Sequence, residues 1–471
     1  MKKSLVVLLS LGLVLVFSMS AFAAPADFYG HLRWRGWYAD NPTMKDKSVV
    51  GVNSAAFVEQ RLRLGGNIKL LDGVETQFRF DVLEDFWMTS TPASYAAVVN
   101  SNPDQTNIMA DVANMTFSLP FGKFLVGYTN APLGYGTKFW ESGEGIRPVV
   151  RYTVNAGPVE YRATWEKKSE TQGWGNNSVG ITNGDSDIYA LAGKYKGKNI
   201  EAGMQWQYLI DNSKRPLAAA SNGGYSTQLH ALQPYFKGTF GNFYIESELL
   251  YVGGKAKAYD EPRGGFNDVD AKAKGAFINA KYTMGPAWLA FAASYTSGDD
   301  HSTPDTVEGS VSQLFDGASS DGGSSSPKPT LILTNTSFGN FFGSLKSSLS
   351  ATDQKNANSL QSSNLITTHN DNEIQFTLYG GYAVTKQLDI NWLLTMAQAD
   401  QKPYNSTSGK QFISNEIGKE FDLAIFYKIT PQLTYNPFFT YFWTGDYFKG
   451  TNSAALVANN FLFMHALLLE F

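Results

Sequence analysis

Apolar and polar residues take turns along most of this chain, and a period of two predicts β-strands whose two faces meet different surroundings. In the first segment Phe28, Leu32, Trp34 and Tyr38 share one side, with Gly30 and Gly36 between them, while His31, Arg33 and Arg35 take the other. In the second, Val58, Leu62, Leu64, Ile68 and Leu70 oppose Glu59, Arg61, Arg63, Asn67 and Lys69. The third sets Val74, Phe78, Phe80 and Val82 against Glu75, Gln77, Arg79 and Asp81. The same alternation returns in residues 200–208, 243–251, 374–382 and 421–427. A strand that is greasy on one side and ionic on the other divides an apolar medium from a wet one, as the wall of a membrane β-barrel does.

The connections alternate as well. Short turns fall at Asp72-Gly73, Phe121-Gly122, Gly157-Pro158, Gly197, Gly241, Gly285-Pro286, Thr385-Lys386 and Thr430-Pro431. Between them lie longer polar stretches at 41–54, 88–107, 131–146, 167–186, 211–226, 253–274, 297–370, 400–415 and 444–456. Tight periplasmic turns opposite long outer loops are the asymmetry of outer-membrane barrels. The pattern predicts an all-β fold, a transmembrane antiparallel up-and-down β-barrel of about 18 strands with 16 as the runner-up count, and both termini in the periplasm. Lipid offers no partner to backbone N–H and C=O groups, so such a sheet must close on itself. Closure pairs 27–40 with 455–471, where Phe461, Phe463, Leu467, Leu469 and the terminal Phe471 share a face. That aromatic-terminated ending resembles the assembly signal of bacterial outer-membrane proteins.

Composition narrows the setting. Lys2 and Lys3, an apolar run from Leu5 to Phe17 and Ala21-Phe22-Ala23 read as a secretion signal covering 1–23, which leaves 24–471 as a single barrel integral to the bacterial outer membrane. The apolar run is too short to span a bilayer as a permanent helix, and nothing after Phe17 approaches the length one needs. Charged residues are 17 %, below the roughly 25 % of soluble domains, while aromatics reach 14 %. With 38 basic against 42 acidic side chains, nucleic acid is not an expected partner. The absence of cysteine excludes thiolate zinc sites, iron–sulfur clusters and covalently attached haem on this chain. No cofactor is expected.

The run Glu416-Ile417-Gly418-Lys419-Glu420-Phe421-Asp422-Leu423, the turn at Thr430-Pro431 and the exit at Thr444-Gly445-Asp446 resemble the late part of alginate-export-type outer-membrane porins. Gln60-Arg61-Leu62-Arg63-Leu64 and the Asp72-Gly73 turn look like the early part of the same family. The resemblance implies an 18-stranded barrel and passive passage of a solute, with anions among the candidates, through a narrow lined pore. It does not extend to 297–370, a stretch rich in Ser, Gly, Asn and Thr.

The candidate chemistry is that of a lining. An arginine facing lipid near mid-membrane costs about 2–4 kcal/mol, so strand arginines point inward. Arg33, Arg35, Arg61, Arg63, Arg79, Arg147, Arg151 and Arg162 all precede residue 163, while only Arg215 and Arg263 follow, in predicted loops. Sequential strands are neighbours, so the early strands make a guanidinium-rich wall. Later strands contribute Glu201, Glu246, Glu248, Glu373, Asp389, Glu420 and Asp422. Walls of opposite sign would set a field across the pore and select solutes by charge. The bland reading stays open beside it: Glu59, Glu75, Asp81, Glu160 and Glu166 sit among the arginines and can pair with them across strands as an inert lattice. The 297–370 segment either folds inward and narrows the pore or caps the surface; loops of this length are often functional.

Other motifs carry less. Ser297-Gly298-Asp299-Asp300 and Thr444-Gly445-Asp446 read as turns, and the scattered histidines His31, His230, His301, His369 and His465 have no ligand spacing, so no metal is expected. His465 falls on the lipid face, near the expected membrane boundary. Trp34, Tyr38, Trp165, Tyr195, Tyr427, Tyr441 and Trp443 read as an interfacial girdle, with Trp37, Trp140 and Trp174 as candidates for sugar stacking. No Ser/His/Asp constellation is recognisable, so an enzyme is not expected. The reading is a porin-like channel for passive diffusion of small hydrophilic solutes, in contact with outer-membrane lipid and open to homo-oligomer formation. The alternative is a structural or partner-binding barrel, an adhesin or a sheath around another protein.

Overall fold

The computed structural model describes residues 25–41, 44, 46–50, 54–86, 108–130, 134–137, 146–170, 184–215, 224–259, 267–309, 372–405 and 408–471. The expected leader, residues 1–23, and most of 297–370 lie outside these residues.

Alternation becomes strand wherever it was legible. β1 (Ala26–Asp40), β2 (Ser54–Leu71), β3 (Val74–Phe86), β4 (Ile108–Leu119), β5 (Gly122–Thr129) and β6 (Arg147–Ala156) form the first third of the wall. β7 (Val159–Ser169), β8 (Ser186–Lys196), β9 (Ile200–Asp211), β10 (Tyr225–Phe240), β11 (Phe243–Tyr259) and β12 (Val269–Met284) form the second. The last third follows β13 (Ala287–Thr296), with the two-residue β14 (Thr306–Val307) lying parallel against the outer end of β12. It comprises β13, β15 (Glu373–Ala383), β16 (Leu388–Gln398), β19 (Glu416–Lys428), β20 (Leu433–Thr444) and β21 (Asn460–Glu470). Between β16 and β19 a small outer hairpin joins β17 (Tyr404–Asn405) to β18 (Lys410–Gln411). The wall is a closed antiparallel barrel of 18 strands.

Closure runs from the Asp40↔Phe461 pair to His31↔Glu470. One more step follows, in which Gly30 N donates to Phe471 O at 2.8 Å and Phe471 N donates back at 3.0 Å. An open seam would leave these groups in hydrocarbon at several kcal/mol each. The outward face carries exposed Phe28, Leu32, Leu64, Leu249, Tyr251, Ile278 and Phe291, while Arg61, Arg63, Arg79, Asp81 and Glu248 are buried on the inward face. This is a water-soluble protein turned inside out.

Three sequence expectations need correction. The expected 253–274 loop is much shorter, because β11 continues to Tyr259 and β12 starts at Val269. The ladder there rises past the apolar band, where no lipid demands a greasy face and the pattern fades. His465, expected near the membrane boundary, sits mid-strand in β21 opposite Gly36. It is tolerated because Trp34 and Phe463 pack on its ring at centroid distances of 4.9 and 5.5 Å. Trp34 is thereby mid-wall and not part of an end girdle.

The mouth also departs from a uniformly polar lumen. Trp37, Phe442, Leu462 and Met464 point inward at the outer ends of the closing strands and pack against Phe412, Tyr447 and Phe448 from the outer connections. Trp37 is 3 % exposed, which rules it out as an open stacking platform for sugar; Trp140 and Trp174 lie outside the described residues. A second apolar cluster, including Ile188, Leu229, Val252 and Val269, is covered by Val307 of β14.

Candidate functional site

Register decides which inward side chains meet. The β1–β2 pairing sets Arg33 opposite Arg61, His31 opposite Arg63 and Arg35 opposite Glu59, and β2–β3 sets Arg63 opposite Asp81. Like charges face to face repel, so the acids between them are needed to hold the rows together. Arg63 reaches Asp81 with both Nε and Nη2, at 2.5 and 2.6 Å. Such a two-pronged ion pair fixes both side chains in one geometry. Its Nη2 is also 3.5 Å from Asp111, to which Arg79 donates at 2.9 Å from Nη2 and 3.2 Å from Nε. Arg61 stands 4.0 Å from Asp81. Arg33 lies 3.7 Å from Glu59, and Arg35 donates its Nε–H to the same carboxylate.

Asp111 is the member that alternation alone could not find. The β3–β4 register shifts at Arg79/Phe80, and Asp111 and Val112 are both buried in succession. That bulge breaks the odd–even rule and turns Asp111 into the ionic row. A carboxylate beside an apolar pair on a strand flanked by arginines is the only trace it leaves in sequence.

A second group lies farther round the wall. Arg147 is 3.3 Å from Glu166, and Arg151 Nε donates to Thr164 Oγ1 at 3.3 Å. Arg162 and Lys194 are 3.8 and 3.4 Å from Glu160. Onto this group folds residues 134–137, part of the connection between β5 and β6, from inside the barrel. Arg162 Nη1 donates to Gly134 O at 2.9 Å, and the Tyr135 hydroxyl donates to Glu160. The Tyr135 ring is held against the Arg162 guanidinium at 4.2 Å and the Lys194 ammonium at 4.3 Å. Thr137 then turns its N–H and hydroxyl to Glu248 Oε2, the backbone bond being 2.8 Å. The segment is thus fastened to β7 and β8 at one end and to β11 at the other, nearly half the ring away from the β1–β3 arginines.

The structure therefore gathers Arg33 and Arg35 on Glu59 and, beside them, Arg61, Arg63 and Arg79 on Asp81 and Asp111, and joins Arg162 to the inward segment. Glu248 anchors that segment, and Glu246 accepts from Tyr244 and Asn279 at 2.9 Å each. Glu420 and Asp422 are buried together on β19. Glu75 stands apart, exposed beside the Asp72-Gly73 turn at the periplasmic rim. The inward-folding element seen among the described residues belongs to the 131–146 connection; the described start of the 297–370 stretch packs against β12 instead. Among the described residues no group of three or more His, Asp or Glu side chains is arranged to hold a metal.

A family model for Gram-negative porins matches residues 10–319. Among solved structures, a BenF-like porin from Pseudomonas fluorescens Pf-5 superposes with a TM-score of 0.52 at 10% identity, covering 95% of this chain and 99% of that one. Pseudomonas aeruginosa OccK8 (OprE) gives 0.50 at 11% identity over 95% and 98%. Pseudomonas aeruginosa OccK2 (OpdF), crystallised with glucuronate, gives 0.50 at 10% identity over 95% and 98%. At such identities the likeness is one of fold. No curated protein sequence matches the chain. The alginate-export-type likeness finds no support in these matches; the short motifs that carried it are strand and turn sequences that an up-and-down barrel needs in any case. The chain belongs to the Gram-negative porin family, and it is a non-enzymatic channel for passive diffusion across the outer membrane.

Proposed function

We propose that this channel favours small anionic hydrophilic solutes, carboxylates among them, which pass between the guanidinium rows of the early strands and the inward segment at 134–137. The supporting observation is a charge imbalance within the early wall. Among the described residues, the guanidinium groups of Arg33, Arg35, Arg61, Arg63, Arg79, Arg147, Arg151 and Arg162 lie among five carboxylates seen in ion pairs with them, those of Glu59, Asp81, Asp111, Glu160 and Glu166. The pairing makes the lattice rigid, and the excess makes it positive, so the inert and the selective readings hold together. An anion gains from the field without a deep binding site, which is what rapid passage requires. Arg33, Arg35 and Arg162, with side chains 21%, 13% and 17% exposed, are the guanidinium groups that reach toward the water of the lumen. Glu246, Glu248, Glu420 and Asp422 complete the proposed lining.

The test is the reversal potential of purified, refolded protein in planar bilayers under a salt gradient. Neutralising Arg33, Arg35 and Arg162 together is expected to lower the anion-to-cation permeability ratio, and neutralising Arg61 and Arg63 together to lower it too. Reversal potentials unchanged in both variants would remove the charge-selective reading while leaving the channel itself intact.

A further inference from the structure

Passage through the lumen makes no use of the outer face of β11 and β12. On β12, Phe277 and Asn279 are buried inward while Ile278 and Tyr282 are exposed outward. The period of two therefore puts Lys272 and Lys274 on the outward face. On β11, Leu249 and Tyr251 are exposed outward, so Lys255, opposite Asp270 of β12, is outward as well, while a register shift between Lys255 and Lys257 sets Lys257 opposite the buried Val269. All four lie at the extracellular ends of their strands. Tyr251, the last exposed apolar residue of β11 on this face, is about 20 Å above Phe243 for a strand rising ~3.3 Å per residue at the usual tilt. It pairs with Lys274, and the next outward row sets Lys272 against Gly253.

The lysines differ in their partners. Lys255 is held by Asp270 at 2.7 Å and Asp268 at 3.6 Å, and Lys257 lies 5.8 Å from the Tyr225 ring centroid. Lys272 and Lys274 are exposed and have no ion-pair partner among the described residues. The Tyr251 ring lies over Gly253 beside Lys272, with His230 on the other flank of that glycine.

We propose that this patch binds the phosphate groups of an anionic glycolipid in the outer leaflet. Two facts select a lipid over a solute of the lumen: Lys272 and Lys274 face away from the pore, and they sit directly above the apolar residues that acyl chains contact. Lipid phosphates lie at the edge of the hydrocarbon, the level at which Tyr251 ends and Lys274 begins. Lys272 and Lys274 are two residues apart on one face, roughly 7 Å, so their flexible stems can converge on one phosphate or bridge two.

The experiment is native mass spectrometry of the refolded barrel in detergent, titrated with a diphosphorylated, multiply acylated glucosamine disaccharide lipid. Wild-type protein is expected to bind it, and Lys272→Gln with Lys274→Gln to weaken binding by about tenfold or more. Lys419→Gln, which removes an isolated outward lysine on β19, should leave binding unchanged. The dephosphorylated lipid should bind the wild type no better than the phosphorylated one binds the double variant, and millimolar inorganic phosphate should not displace the lipid. Equal affinity of wild type and double variant, indifference to dephosphorylation, or displacement by inorganic phosphate would each overturn the proposal. A second measurement uses the unmodified protein: the lipid should slow chemical acylation of Lys272 and Lys274 relative to Lys419, and equal rates would count against it.

Discussion

Glu248 is the far anchor of the inward segment, and cutting it should widen the pore. Its buried carboxylate accepts both the backbone N–H and the hydroxyl of Thr137 through Oε2. Hydrogen bonds to a charged group contribute about 1.5–3 kcal/mol each. The Thr137 groups can rehydrate in a wet lumen, so the net loss in Glu248→Ala is about 2–4 kcal/mol, discounted from the ~3–6 kcal/mol of two such bonds. That raises the ratio of detached to attached segment by roughly 30-fold to 1000-fold. Tyr135 remains tied to Glu160 and braced by Arg162 and Lys194, so the segment should swing about that end and not leave the wall. Glu248→Gln keeps a carbonyl acceptor without the charge and should lose only about 1–2 kcal/mol, since a neutral hydrogen bond is worth about 0.5–1.5 kcal/mol. Single-channel recording in planar bilayers reads the effect as larger conductance or added high-conductance substates, strong in the alanine variant and weaker in the glutamine one. Heat-modifiable gel migration checks that each barrel is closed. Folded variants with wild-type conductance and noise would refute the latch.

Two further predictions concern packing and pH. A Cβ at Gly36 would clash with the His465 ring at Nε2, so Gly36→Ala should cost about 1–3 kcal/mol of overpacking, read from denaturant unfolding in lipid vesicles; adding His465→Ala should recover most of it, and simple additivity would show that the contact is not the cause. Burial, with Glu308 beside it, pushes the Asp299 carboxyl up to about 6 from 3.8. The folded segment therefore holds a proton that the unfolded chain releases near pH 4, and its stabilisation is full below that pH and lost as pH rises through about 6. Protection of residues 297–309 from hydrogen exchange, taken relative to the intrinsic rate at each pH, should be lower at pH 8 than at pH 5. Asp299→Asn should abolish the difference, and a variant that keeps it would assign the titration to another group.

Much of the barrel could be read residue by residue, and the failures are as physical as the successes. Arg61 and Arg63 were assignable to the lumen because each pays a local penalty on the wrong face, whatever the rest of the chain does. Asp111 escaped because a bulge resets the parity of its strand, and parity was the only signal. His465 was correctly placed on the lipid face, but its depth could not be judged, since depth depends on how far β1 and β21 slide past each other before they lock. The inward segment escaped because Gly134-Tyr135-Gly136-Thr137 looks like an ordinary loop until Glu160 and Glu248, from strands later in the chain, are brought within reach of it.

Sequence by itself determined the strands, their inward and outward faces and the even number that closes the wall, because a membrane boundary acts on every strand separately and leaves its mark at every second residue. Only the tertiary structure decided which charges share a carboxylate, which connection turns into the lumen and which lysines stand together on the outer face. Those outcomes depend on strand stagger, and stagger is settled by all the pairings of a closed ring at once.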